Sequence, residues 1–370
     1  MLAIDLGRCK QLPLLAAISW HSDGISFLTV YGYGAFPGFF IAFVDYSFAT
    51  KRSNHVLMAT FLNLLIVGLA TGAIYALIAL GYTMVYGIIE LINFAHGDIF
   101  MLGTFVTIAI MSALGVQANN PPAIMTWYLV GQLAIACVGS FLFCAVLGVV
   151  IERVAYRPLR NAPKLAPLIS AIGVSLILQD LGKLWFGDTN VSFVSLPIGT
   201  LRFGPVYIDI INIFVLLVAL VLMAALHLMV TRTRIGRAMR AVAQDRDAAA
   251  LMGVNVNLII AFTFFIGAGL AGAGGFIYSL KFPNTYFYLG FQQGLIAFTA
   301  AVLGGIGNLV GAMVGGLLIG IIASLVTLIP PSVLPHGGNA WNQAIIFVIL
   351  ILILVFRPSG LFGQQVPEKV

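Results

Sequence analysis

The stretch FPNTYFYLGFQQGLIAFTAAVLGGIGNLVGAMVGGLLIGIIASLVTLIPPSVLPHGGNAWNQAIIFVILILILVF, residues 282–356, contains no Asp, Glu, Lys or Arg. A bilayer crossing needs about 20 consecutive apolar residues, so this run alone supplies several crossings. Two further charge-free stretches lie between Arg52 and Glu90 and between Asp98 and Glu152. All three are continuously apolar and lack the in/out alternation of barrel strands, which makes them helices. The fold class is an all-α polytopic membrane protein.

Composition agrees. Of 370 residues, 61% are hydrophobic and 8% charged, with mean hydropathy +1.07, which excludes a soluble globular domain. The net charge of +6 does not point to nucleic acid, because the basic residues form no stripe with interleaved aromatics. They mark topology instead: of 18 Lys and Arg, four lie in 152–164 and five in 231–247. Short loops rich in Lys and Arg stay on the cytoplasmic side.

About eight crossings follow, at 62–87, 92–114, 126–150, 167–186, 208–230, 258–280, 294–330 and 340–356. The basic loops are two crossings apart and therefore share a face, and Arg357 ends the last helix on that face. The segment 294–330 exceeds one helix and is interrupted by Gly304, Gly305, Gly307 and Asn308, a broken or re-entrant pair. Counting back places residue 60 on the opposite face, near Lys51 and Arg52. Either those two charges carry no topological weight, or the interruption at Gly87, Asn93, His96, Gly97 and Asp98 hides a second break. Two interrupted segments, one in each half, are the pattern of a transporter built of pseudo-repeats with a midplane site.

Residues 1–57 differ from the rest: they mix charges with a Tyr/Gly/Pro-rich apolar stretch and form no tidy signal peptide. They read as an N-terminal extension outside the native product, with Met58 as the start, or as one extra hydrophobic segment. The permease-like domain then spans 58–364, with a tail at 365–370.

Few residues invite chemistry. Small residues four apart, Gly68 and Gly72, Gly311 and Gly315, Gly316 and Gly320, let helix backbones approach closely; the reading is tight packing within the chain rather than a moving interface. Asn93, His96 and Asp98 are either a functional cluster at membrane depth or a polar loop capping the next helix. Asp180 and Lys183, one turn apart, read as a structural ion pair. Cys9, Cys137 and Cys144 form no metal-ligand pattern, and no metal site is expected. The chain has no P-loop and no Gly-x-Ser-x-Gly or His-Glu-x-x-His, so neither nucleotide hydrolysis nor other catalysis is expected of it, and no cofactor. The run from Gly236 to Gly253, within a loop at 231–255, is an amphipathic stretch of good helix formers, either a docking element or a basic loop that only sets orientation.

A resemblance gathers these features. Asp247-Ala248-Ala249 with Gly253 resembles the Glu-Ala-Ala…Gly coupling motif of bacterial ABC importer permeases, with Asp in place of Glu. Ile92-Asn93-Phe94-Ala95-His96-Gly97, Glu152 to Arg160, Phe298 to Asn308 and Arg357-Pro358-Ser359-Gly360-Leu361 are similar to the LivH-type permease of branched-chain amino-acid transporters. The resemblance implies a type II ABC importer permease in a bacterial inner membrane. Its partners would be a second related permease, two cytoplasmic ATPase subunits that use ATP, a periplasmic amino-acid-binding protein, and lipid. It assigns ATPase coupling to Arg237, Arg240, Asp247, Ala248, Ala249 and Gly253. For the substrate path the candidates are Thr71, Tyr75, Asn93 and His96. Two alternatives stand beside it: a urea or short-amide permease of the same family, and an ion-coupled secondary transporter with His96 and Asp98 as relay.

Overall fold

The computed structural model describes residues 46–363 except 118–121, 123, 125, 161, 164, 195, 197–198 and 205, together with the strands at 16–22, 25–31 and 40–43; side chains are described from Met58 onward. The expected tail at 365–370 lies outside the described residues, as does much of the N-terminal extension. By internal contacts the chain divides into two units, Met1–Phe61 and Leu62–Val370. The first contains β1 (Ala16–Ser22), β2 (Ile25–Tyr31) and β3 (Phe40–Phe43), an antiparallel meander, where the sequence suggested only an extension or one further crossing.

The second unit is helical. From Leu62 on, the 44-residue helix α1 (Tyr46–Ile89), whose apolar span is Met58–Ile89, belongs to it, followed by α2 (Ala95–Ala113) and α3 (Trp127–Ile151). A π turn at Glu152–Tyr156 and a 3-10 turn at Arg157–Leu159 lead into α4 (Leu165–Phe186). The next connection carries β4 (Val191–Ser192), β5 (Thr200–Phe203) and β6 (Val206–Asp209) before α5 (Ile210–Arg232). Two short helices, α6 (Arg234–Gln244) and α7 (Arg246–Leu251), precede α8 (Val256–Lys281) and β7 (Asn284–Thr285). The chain closes with α9 (Leu289–Gly304), α10 (Leu309–Val326) and α11 (Gly337–Phe356). Among the described residues eight helices are long and apolar enough to cross a membrane, and α9 is a shorter apolar helix.

Contacts order the helix ends into two faces. On one, Arg246 of α7 bonds the Ile88 carbonyl at the end of α1, Arg160 bonds Asn257 at the start of α8, and Asn308 donates to the Phe362 carbonyl at 2.9 Å. This basic face gathers both Lys/Arg-rich connections, the α9–α10 turn and the chain after α11, as the charge count required. On the other face β4 pairs with β7, and the Tyr207 amide donates to Asn63 Oδ1 at 3.2 Å. Asn63 therefore lies opposite the basic face, and the break after Ile89 separates α1 from α2 without adding a crossing.

The interruption in 294–330 falls at residues 305–308, where Gly305 and Gly307 take φ of +103° and +93° and Asn308 caps Gly311 at 3.1 Å. An α9 of 16 residues is only about 24 Å long. Its approach dips into the bilayer, since Thr285 bonds Thr104 in the middle of α2 at 2.7 Å, and α9 starts beside Gly97 and Asp98. The stretch from β7 through α9 thus runs from the β4–β7 face to the basic face, part extended and part helical, so the pair is a broken one rather than a re-entrant one.

Small residues do the packing, as lipid-solvated helices require. A Cβ on Gly72 would lie 2.8 Å from the Gly316 carbonyl oxygen, and one on Gly320 would lie 2.2 Å from Gly72 Cα. A Cβ on Gly315 would lie 2.1 Å from the Ala300 carbonyl. The spacings thus serve α1–α10 and α9–α10 contacts within the chain. Ser140 of α3 sits within 2.9 Å of the carbonyls of both Gly103 in α2 and Gly272 in α8, which ties three helices at one point. Cys137 and Cys144 are free thiols in α3, with Cys144 buried.

Candidate functional site: the basic face and the helix break

At the basic face the expected single amphipathic helix is two. Asp245 breaks it: its Oδ1 accepts from the amides of Asp247 and Ala248 at 2.9 and 3.0 Å, the N-cap geometry that starts a new helix. On α6 the apolar side buries Met239 and Val242, and α7 buries Ala249. Asp247, Ala248 and Arg237 are exposed. Gly253 takes φ +83° with nothing within 4 Å of the position its Cβ would occupy, so the turn needs glycine for its backbone rather than for space. Beside it Leu251 and Met252 are 89% and 85% exposed, large apolar side chains offered to the aqueous side. Sequence reading did not single these two out, although their place between Ala-Ala-Ala and Gly253 was the available signal.

Arg240 is turned differently. Its Nη1 donates to the Val230 carbonyl at the end of α5, so it braces the membrane domain. Arg160 joins Glu152 and Asn257, linking the π turn to α8. Burial pulls the Arg160 guanidinium below its ordinary pKa, and the Glu152 carboxylate opposes that shift.

The Asn93–Asp98 break is inside the protein. Asn93 Oδ1 accepts from the Tyr156 hydroxyl at 2.8 Å, and its Nδ2 has no partner. His96 is 1% exposed, 4.8 Å from the Tyr82 ring, with Nε2 unpartnered. Asp98, 0% exposed, accepts from Ser175 through Oδ2, and Gln179 donates to Ser175 at 3.2 Å. Asp98 Oδ1 has no hydrogen-bond partner and lies close to Gly290 in the first turn of α9. Through Oδ2, Asp98 joins α2 to α4. Thr71 and Tyr75 sit farther along α1, with Thr71 Oγ1 donating to the Val67 carbonyl at 2.8 Å. Lys281 of α8 donates to that same carbonyl at 3.0 Å and to Asn212 at 2.8 Å, a clamp between α1, α5 and α8 that the sequence reading missed. Among the described residues, Thr71, Tyr75, Asn93 and His96 line neither of two cavities, of about 530 and 410 Å³.

One expectation is corrected. Asp180 and Lys183 do not pair; both are exposed, and Lys183 lies over the Phe287 ring, 5.6 Å from its centroid. An exposed ion pair one turn apart is worth little, and the Lys183 ammonium finds an aromatic face instead.

A bundle of apolar spans with one short broken helix, glycine-packed helix crossings and an exposed element between α5 and α8 defines a multi-pass membrane permease. Residues 64–354 match the family of branched-chain amino acid transport system permease components, and the chain belongs to that family. It is 39% identical over 315 residues to the high-affinity branched-chain amino acid transport system permease protein BraD of Pseudomonas aeruginosa, covering 84% of this chain and 98% of the relative. It is 40% identical over the same length and coverage to LivH of Escherichia coli K12. A probable LivH of Methanocaldococcus jannaschii is 27% identical over 299 residues, with 78% of this chain and 88% of the relative covered.

Proposed function

We propose that this chain forms one wall of an inner-membrane path for leucine, isoleucine and valine, driven by ATP hydrolysed on separate subunits. The observation that carries the reading is the projection of Asp247, Ala248, Leu251, Met252 and Gly253 from the basic face of a permease of this family. Exposed apolar side chains beside a rigid turn are what a docking groove accepts. The partners are two ATPase subunits at α6–α7, a second related permease, and a periplasmic binding protein that delivers the amino acid; ATP is bound by the partners.

Alternating access follows the coupling segment: closure of the ATPases displaces α6–α7, and the spans rearrange around the path. A zwitterion with an aliphatic side chain asks for weak polar contacts and apolar walls. Thr71 and Tyr75 on α1 supply such contacts, with Asn93 and His96 at the break below. The names of the relatives support amino acids over urea or amides, and an ATP-driven importer over an ion-coupled transporter.

The test is uptake by the reconstituted complex with its binding protein. Labelled leucine should be taken up and displaced by isoleucine and valine but not by urea. Uptake of urea in preference would replace the substrate assignment. Asp247→Lys and Gly253→Trp should insert normally and hydrolyse ATP without matching uptake.

A further inference from the structure

We propose that Arg240 and Arg246 are positioning residues that transmit movement of the coupling segment into the membrane domain, Arg240 through α5 and Arg246 through α1. The proposal rests on the reading of the chain as an ATP-coupled permease, and it concerns the inward side of α6–α7 rather than its docking side.

A helix ends with four carbonyls lacking partners within the helix, where the dipole is negative. The end of α1 carries no basic residue in its own last turn. Its Ile88 carbonyl instead accepts from Arg246 Nη2 at 2.8 Å, a guanidinium 158 residues away in sequence. Two residues later Glu90 takes φ +59° and turns the chain away, so this bond sits at the last turn of the span. The end of α5 is held the same way, with the Val230 carbonyl accepting from Arg240 Nη1. Two cations of one short segment therefore cap two different spans. Bonds of this kind are about twice as strong as neutral ones and keep direction.

On the α1 side the surroundings leave the Arg246 bond to do the joining, whereas α6 is also packed against the end of α5 at Gly236. A cavity of about 410 Å³, lined by Ile88, Glu90, Arg160, Val242, Gln244 and Arg246 among others, separates α7 from the end of α1. A second, of about 90 Å³, lies between α6 and α1 and is lined by Thr83, Gly87, Val230 and Arg240. The segment is not packed flush on α1. Its displacement reaches that helix by pulling or releasing Arg246, and α1 carries Thr71 and Tyr75 and crosses α10 at Gly72.

The experiment uses the full complex in proteoliposomes, with Arg246→Met and Arg240→Met, the conservative Arg246→Lys, and exposed Arg153→Met as control. Co-purified ATPase, ATP hydrolysis and leucine uptake are measured together. Both Met variants should assemble and hydrolyse ATP while uptake per ATP falls roughly fivefold or more, the lower bound of an ordinary coupling energy. Arg246→Lys should recover most of the ratio, and Arg153→Met should match the parent. An unchanged ratio in the Met variants overturns the proposal, as does a loss of uptake that tracks lost assembly in exact proportion. If Arg246→Met does not fold, Arg246→Gln retains a donor without the charge; its ratio should also fall, and an unchanged one overturns the proposal. If the parent complex takes up leucine without ATP, the underlying reading fails instead.

Discussion

The imidazole of His96 occupies the space that a side chain at Gly81 would need: a Cβ there would lie 2.1 Å from His96 Nε2. The α1–α2 break is thus folded back against α1, and the missing side chain of Gly81 is what admits it. Gly81→Ala should destabilise the protein by about 1–3 kcal/mol, the ordinary cost of overpacking. In the double variant with His96→Ala part of that loss should return, because the two changes share one space. Thermal unfolding in detergent of the two singles and the double reads the coupling directly.

The α1–α10 crossing should be the least tolerant place in the bundle. Gly72→Leu and Gly316→Leu each place a side chain against backbone, where a Cβ alone would come within 2.8 Å and 2.4 Å of main-chain atoms. Both should abolish recovery of monodisperse protein. Gly131→Ala in α3 and Gly173→Ala in α4 meet nothing within 4 Å, and each should leave stability unchanged or raise it by about 0.5–1 kcal/mol.

Ser175→Ala removes the hydroxyl that bonds the wholly buried Asp98 side chain. Leaving a buried polar atom without its partner costs about 1–3 kcal/mol, and a loss in that range is expected in unfolding measurements. Uptake should remain ATP-driven in this variant, since the contact holds α2 to α4 and moves no ion.

Gly236 is needed where α6 leaves α5, since a Cβ there would lie 2.2 Å from the Val230 carbonyl oxygen and 2.4 Å from that of Met229. Gly236→Ala should push α6 away and disturb the Arg240 contact with it. Uptake per ATP should fall while the amount of assembled complex is kept, which co-purification and hydrolysis assays check.

The spans were legible because excluding charge from about 20 residues at a time is a condition every crossing obeys locally. The break at 305–308 was legible for the same local reason, through its glycines and Asn308. What escaped was pairing at long range. Nothing in the run Leu178 to Lys183 shows that Lys183 would lie over Phe287, and Asp98 meets Ser175 from 77 residues away. Gln244-Asp245-Arg246 did contain a helix-start signal at Asp245, and reading it would have divided α6 from α7. The motif residues 247–249 and 253 were visible in sequence, but the inward turn of Arg240 was not, since its acceptor is a carbonyl and carries no side-chain signature.

The central claim is that transport through this chain is driven by ATP on partner subunits. Its most direct test is leucine uptake into proteoliposomes by the complex recovered from its membrane in mild detergent, with and without ATP and with the binding protein present. The account predicts co-recovery of ATPase subunits and leucine accumulation only with hydrolysable ATP. Recovery of the chain alone, accumulating leucine on an ion gradient without ATP, would contradict it.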